Sequence, residues 1–145
     1  MHFRHRFSVR ASQAAVAAFH ADPRVLRTIT PLPILVQFHH VEPIAEGTSV
    51  DFTLWFGPVP VRWIARHSQI RGNQGFVDEQ ERGPFQRWIH EHRFEPTDSG
   101  KIDVVDEIEA QLRAHPWWVL VGVMMWITLP ILFAYRAWQT RRHLE

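Results

Sequence analysis

Trp88, His90, His92 and Phe94 stand at every second position of one run, a spacing that puts all four side chains on the same face of a β-strand. Gln86 would share that face, while Phe85, Arg87, Ile89, Glu91 and Arg93 would take the other. A strand that only builds a dry core turns Val, Ile or Leu inward. This one turns imidazoles and indoles inward, which suits the wall of a cavity. Imidazole next to carboxylate is general-base chemistry, because the acid fixes the tautomer and raises the basicity of the ring. Asp78 and Asp106 are the carboxylates in reach. If the preceding hairpin turns near Pro84, Asp78 faces His90. If the following one turns at Asp98, His90 faces Asp106. The expected site is therefore an inward row Asp78–His90–Asp106, with His90 as the candidate base. The bland alternative is that the carboxylates satisfy a buried imidazole.

His90 and His92 also form a His-x-His pair with Cα atoms ~7 Å apart, and Asp78 or His40 could supply a third metal ligand. No second ligand spacing accompanies the pair, so neither a metal nor another cofactor is expected. His39 and His40 would point to opposite faces, giving one surface and one cavity side chain. The candidate ligand-binding set is Phe52, Trp63, Gln80, Trp88, His90, His92 and Phe94. Serines lack a nucleophile-elbow context and there is no Gly-rich phosphate loop.

These residues need a sheet to hold them. Residues 2–9 alternate as a first strand. Ala11-Ser12 opens an Ala-rich helix to about His20, and a second short helix follows Asp22-Pro23 to about Thr28. From Ile34 to Ala110 alternating runs are separated by Gly57-Pro58, Arg71-Gly72-Asn73, Gly83-Pro84 and the 96–100 turn, the pattern of an antiparallel meander.

Gly83-Pro84-Phe85, Trp88, His90, His92 and Phe94, preceded by Phe76-Val77-Asp78-Glu79-Gln80, resembles the ligand-binding branch of the SRPBCC (START-like) superfamily. Weaker matches run through Phe7-Ser8, Asp22-Pro23, Thr30-Pro31, Gly47, Trp63, Asp106 and Phe133-Ala134-Tyr135-Arg136, so the resemblance covers nearly the whole chain. It implies a single α+β domain over residues 1–145 with a helix-grip fold. A curved antiparallel sheet would wrap round a long C-terminal helix at about 115–143, with two short helices after the first strand and an apolar cavity inside.

Residues 116–135 carry no charge, and ~20 apolar residues are long enough to span a bilayer. A helix-grip sheet needs this helix to close its cavity, so packing against the sheet is expected, with a kink near Pro130. The expected sheet-facing stripe is Leu120, Met124, Ile127, Ile131 and Trp138. Val119, Val123, Trp126 and Phe133 are expected on the opposite side, where an apolar face would meet a second copy of the chain or a membrane surface.

The 145 residues suffice for one hydrophobic core, and the chain has no cysteine, which removes disulfides, thiolate metal sites and Cys nucleophiles. A net charge of +1 with scattered arginines gives nothing to steer nucleic acid. These features are compatible with a cytoplasmic protein, or one peripheral to the inner face of a membrane. The first functional reading is a non-catalytic protein that binds an apolar small molecule or lipid. A second is a cyclase or dehydratase acting on a polyketide-like substrate through the His-Asp base. A third is a membrane-associated lipid-transfer protein anchored by its C-terminal helix. The sequence names no ligand and fixes no oligomeric state.

Overall fold

The computed structural model describes all residues, 1–145. Seven strands form one antiparallel sheet: β1 (His2–Val9), β2 (Leu35–Val41), β3 (Ser49–Phe56), β4 (Val59–Ser68), β5 (Gly75–Arg82), β6 (Phe85–Pro96) and β7 (Ile102–Leu112). Their order across the sheet is β1-β7-β6-β5-β4-β3-β2. Strands β2 to β7 are a meander, and β1 closes the far edge against β7. Helices α1 (Gln13–Ala21) and α2 (Val25–Thr28) connect β1 to β2, and α3 (Pro116–Leu144) lies across the sheet. Ser12 caps α1 by accepting a hydrogen bond from the Ala15 amide at 3.1 Å, the usual solution for an unpaired first-turn donor. His115 caps α3, Pro116 occupies its first turn, and Arg141, Arg142 and His143 complete its last.

The sheet registers decide where the polar side chains meet. The β5–β6 hairpin pairs Asp78 with His90, as the Gly-Pro turn predicts. The β6–β7 hairpin turns one residue later than expected. Gly100, in the left-handed region at φ 81°, lets the Gly100 amide donate to Thr97 and the Thr97 amide to Lys101. Pro96 therefore pairs with Ile102, and the turn centres on Ser99. As a result His92 pairs with Asp106 and His90 with Ile108, not His90 with Asp106. A register shift between Phe85 and Arg87 corrects a second expectation: Phe85 is fully buried and Gln86 is exposed. Gly75 opens β5 at φ 144°, and a Cβ there would stand 1.9 Å from the His92 carbonyl oxygen. Only glycine allows β5 and β6 to meet this closely.

Two core clusters share the interior. One joins Val36, Val50, Phe52, Trp63, Phe85, Trp88 and Ile108 to Leu129 and Phe133 of α3. The other joins Phe7, Val9, Val16, Phe76, Phe94 and Val104 to Ala137. The buried stripe of α3 is thus Gly122, Leu129, Phe133, Ala137 and Thr140. Gly122 permits close approach, since a Cβ there would be 2.7 Å from Leu112 Cδ2.

This stripe reverses most of the expected assignment. Phe133, expected outside, is 2% exposed. Trp126, also expected outside, meets Phe3 and Trp88 edge-on, each at 6.3 Å between centroids. Leu120, Met124, Ile127, Ile131 and Trp138, expected against the sheet, are exposed. Val119 and Val123 are exposed, as expected. The helix is long and apolar enough to cross a membrane, while its Leu129, Phe133 and Ala137 pack into the cores under the sheet. Pro130 sits within it as one continuous helix.

Candidate functional site: a polar row at the end of an apolar cavity

A cavity of about 650 Å³ lies between α3, the α2–β2 segment and the inner face of the sheet, and 25 of its 36 lining residues are hydrophobic. Phe52, Trp63 and Trp88 form part of its wall, with Trp88 edge-on to Trp63 at 5.2 Å between centroids. His20, His67, Asp78, His90, His92 and Arg136 make one polar region of that wall.

The polar region is a ladder of side chains running across the sheet. Cross-strand pairing sets His67 beside Asp78, Asp78 beside His90, His92 beside Asp106, and Asp106 beside His5. The hydrogen bonds run diagonally through it. His90 Nε2 donates to Asp106 Oδ1 at 2.9 Å, and His92 Nε2 donates to Asp78 Oδ2 at 2.8 Å. His92 Nδ1 lies 3.2 Å from Asp106 Oδ1. The two imidazoles lie face to face at a tilt of 31°, 3.9 Å between centroids. The expected row thus gains a fourth member: Asp78 and Asp106 both engage His92, and Asp78 bonds to His92 rather than to His90.

The two histidines have opposite electrostatics. Burial lowers the basicity of His92, but the carboxylates of Asp106 and Asp78 on its two sides outweigh this and push its pKa up to about 9. Burial and the neighbouring His92 charge lower the pKa of His90, against the pull of Asp106. Burial raises both carboxylates, but the imidazoles hold Asp78 below its usual value and Asp106 well below. At neutral pH the row is therefore an imidazolium between two carboxylates, beside a neutral imidazole. His90 uses Nε2–H on Asp106, so its Nδ1 carries the lone pair. His90 can act as a base, whereas His92 is already protonated and both its nitrogens face carboxylates.

Asp78, His90 and His92 each bring one ligand atom to within 4.8 Å of the others, but both Nε2 atoms are engaged by carboxylates. His39 and His40 are both exposed and bond to Thr53 and Glu42. Neither reaches the cavity, because the strand bulges between Phe38 and His40. Two expected ligand contacts also lie elsewhere. Gln80 clasps the β5–β6 turn, donating to the Phe85 carbonyl at 2.7 Å and accepting from the Phe85 amide. Phe94 is buried in the second core cluster, 4.8 Å from the His20 ring. His20, His67 and Arg136 were not in the expected set. His67 continues the inward alternation of Val61, Trp63 and Ala65, which is a readable signal. His20 and Arg136 come from helices and had none.

The row sets how stability depends on pH. Burial lowers His5, His67 and His90, and lowers His20 to about 4. A buried neutral histidine costs stability as pH falls below its unfolded value of ~6.5, because the unfolded state takes up the proton first. His92 acts oppositely: its contribution is complete below ~6.5 and is lost as pH rises to about 9. Stability is therefore expected to peak near pH 6.5, with an acid limb steeper than the alkaline one because more histidines drive it. Denaturant titrations from pH 4.5 to 9.5 measure this. A flat profile below pH 6.5 would contradict it.

No family model and no curated protein sequence matches the chain. Solved structures do. An aromatase/cyclase from a Streptomyces species superposes with a TM-score of 0.77 at 15% identity, covering 99% of this chain and 93% of that one. A START superfamily protein from Mycobacterium smegmatis gives 0.72 at 10% identity, covering 99% and 96%. The chain has the helix-grip fold of START-like proteins. A major latex-like protein from Panax ginseng shares this START-like architecture, with a TM-score of 0.69 at 12% identity over 99% and 97% of the two chains.

Proposed function

We propose that this START-like fold binds an apolar or amphipathic small molecule in its cavity. The observation that carries this reading is the cavity itself: about 650 Å³ with mostly apolar walls and one polar region, the usual make-up of a small-molecule pocket. The aromatase/cyclase among its structural neighbours and the neutral His90 held by Asp106 support a second reading. In that reading His90 Nδ1 abstracts a proton next to a carbonyl of a polyketide-like ligand, as a cyclase or dehydratase would require.

The rim of the cavity supports delivery from a lipid surface. Leu32, Trp117, Leu120, Met124 and Ile131 line the cavity and are also exposed, Leu32 by 80% and Ile131 by 72%. Apolar side chains gathered round a mouth suit contact with a membrane or a second copy of the chain more than with water. Native mass spectrometry of freshly purified protein is expected to show a mass above that of the 17.1 kDa chain, with the excess extractable into organic solvent. Stripped protein should reload from phospholipid vesicles and float with them. A dimer that ignores vesicles would assign the rim to self-association, and protein that never acquires mass would remove the binding reading.

A further inference from the structure

Arg136 is the one cavity-lining arginine, and its guanidinium donates no hydrogen bond within the protein. Its Nε is buried without a partner. Several arginines of the sheet, by contrast, face carboxylates directly. Arg62 engages both oxygens of Asp51, Arg93 bonds to Glu107, and Arg66 bonds to Glu81. Neither Asp78 nor Asp106, the carboxylates of the polar region, accepts a hydrogen bond from Arg136; theirs come from His92 and His90. What holds Arg136 is the face of Phe133, with the guanidinium carbon 4.9 Å from the ring centroid. Phe133 is itself locked in the core against Phe3, His5 and His90.

A guanidinium whose five donors find no acceptor is costly in a cavity with mostly apolar walls. A stacked, immobilised one is also pre-organised to receive a ligand oxygen. From this geometry we infer that Arg136 receives the carboxylate of an amphipathic ligand whose hydrocarbon part fills the apolar cavity. The charges that act on this position are Asp106 and Asp78, each already shared with a histidine of the row. A planar carboxylate matches the guanidinium fork with two parallel hydrogen bonds, which neither an alcohol nor a hydrocarbon can supply. This inference rests on the cavity-binding reading and adds the chemistry of the head group.

The test compares dodecanoate with dodecanol as competitors for the neutral dye N-phenylnaphthylamine. Wild type should prefer the carboxylate by about tenfold or more, the worth of a charge-assisted pair. Arg136→Met should still bind the dye and the alcohol but lose that preference. Without ligand its melting temperature should be unchanged or higher, because an unpaired buried cation has been removed. Arg136→Lys, which keeps the charge without the fork, should fall between the two and serves if the Met variant folds poorly. A wild type that binds both competitors equally, or an Arg136→Met protein that keeps the preference, would overturn the head-group assignment and leave the cavity reading intact. Failure of the dye to bind wild type would overturn both.

Discussion

Replacing Asp106 with alanine is expected to cost about 3–5 kcal/mol of folding free energy, the usual penalty for removing one partner of a buried ion pair. Asp106 is 6% exposed and contacts both His90 and His92. Without it, His92 keeps only Asp78, and His90 loses the acceptor of its Nε2–H. The loss should appear as a lower denaturant midpoint at unchanged slope. Asp106→Asn keeps an acceptor but not the charge, so it should cost less while the His92 pKa falls from about 9 toward neutrality, which NMR titration of the imidazole protons can follow. A cost below about 1 kcal/mol for the alanine variant would contradict the ion-pair description.

The same energetics bear on why the row exists. Apolar side chains of similar volume would stabilise such a site as well or better, and the surrounding wall already consists of Phe52, Trp63 and Trp88. We infer that the row serves the cavity's occupant, by holding His90 neutral and His92 charged where they line it.

Filling the cavity should abolish binding without unfolding the protein. Ala65 is buried in the main core cluster and lines the cavity between Trp63 and His67 on β4. Overpacking a dense core costs about 1–3 kcal/mol, but a side chain that grows into empty volume meets little resistance. Ala65→Trp should therefore keep its cooperative unfolding transition and lose at least tenfold in affinity for an apolar ligand. Val50→Phe, at the position that pairs with Ala65 across β3 and β4, is the second variant should the indole prove too large.

The sheet was legible in the sequence because its strands alternate cleanly and its turns are marked by Gly and Pro. The site was legible only where a single strand carried it. Trp88, His90 and His92 share an inward face as their spacing demands, and Asp78 faces His90 because the Gly83-Pro84 turn fixes that register. Asp106 was placed opposite the wrong histidine because the left-handed Gly100 moves the turn centre by one residue. The diagonal hydrogen bond then restores the His90–Asp106 contact by side-chain reach. Phe85 was misplaced by a bulge, which no alternation pattern reveals. The faces of α3 were misread for a different reason. A helix that is apolar on every side carries no periodic signal of which side is buried, and Phe133 and Leu129 are chosen by the shape of the sheet. Arg136 directly follows the uncharged run 116–135, and its role depends on the same rotation.

The most direct measurement is a fluorescence titration of N-phenylnaphthylamine into wild type and Ala65→Trp, with circular dichroism confirming that both are folded. Saturable enhancement is expected in wild type, with a Kd on the order of micromolar, and its loss in the variant. Absence of saturable binding to wild type, or equal binding to both proteins, would contradict the assignment of this cavity as the ligand site.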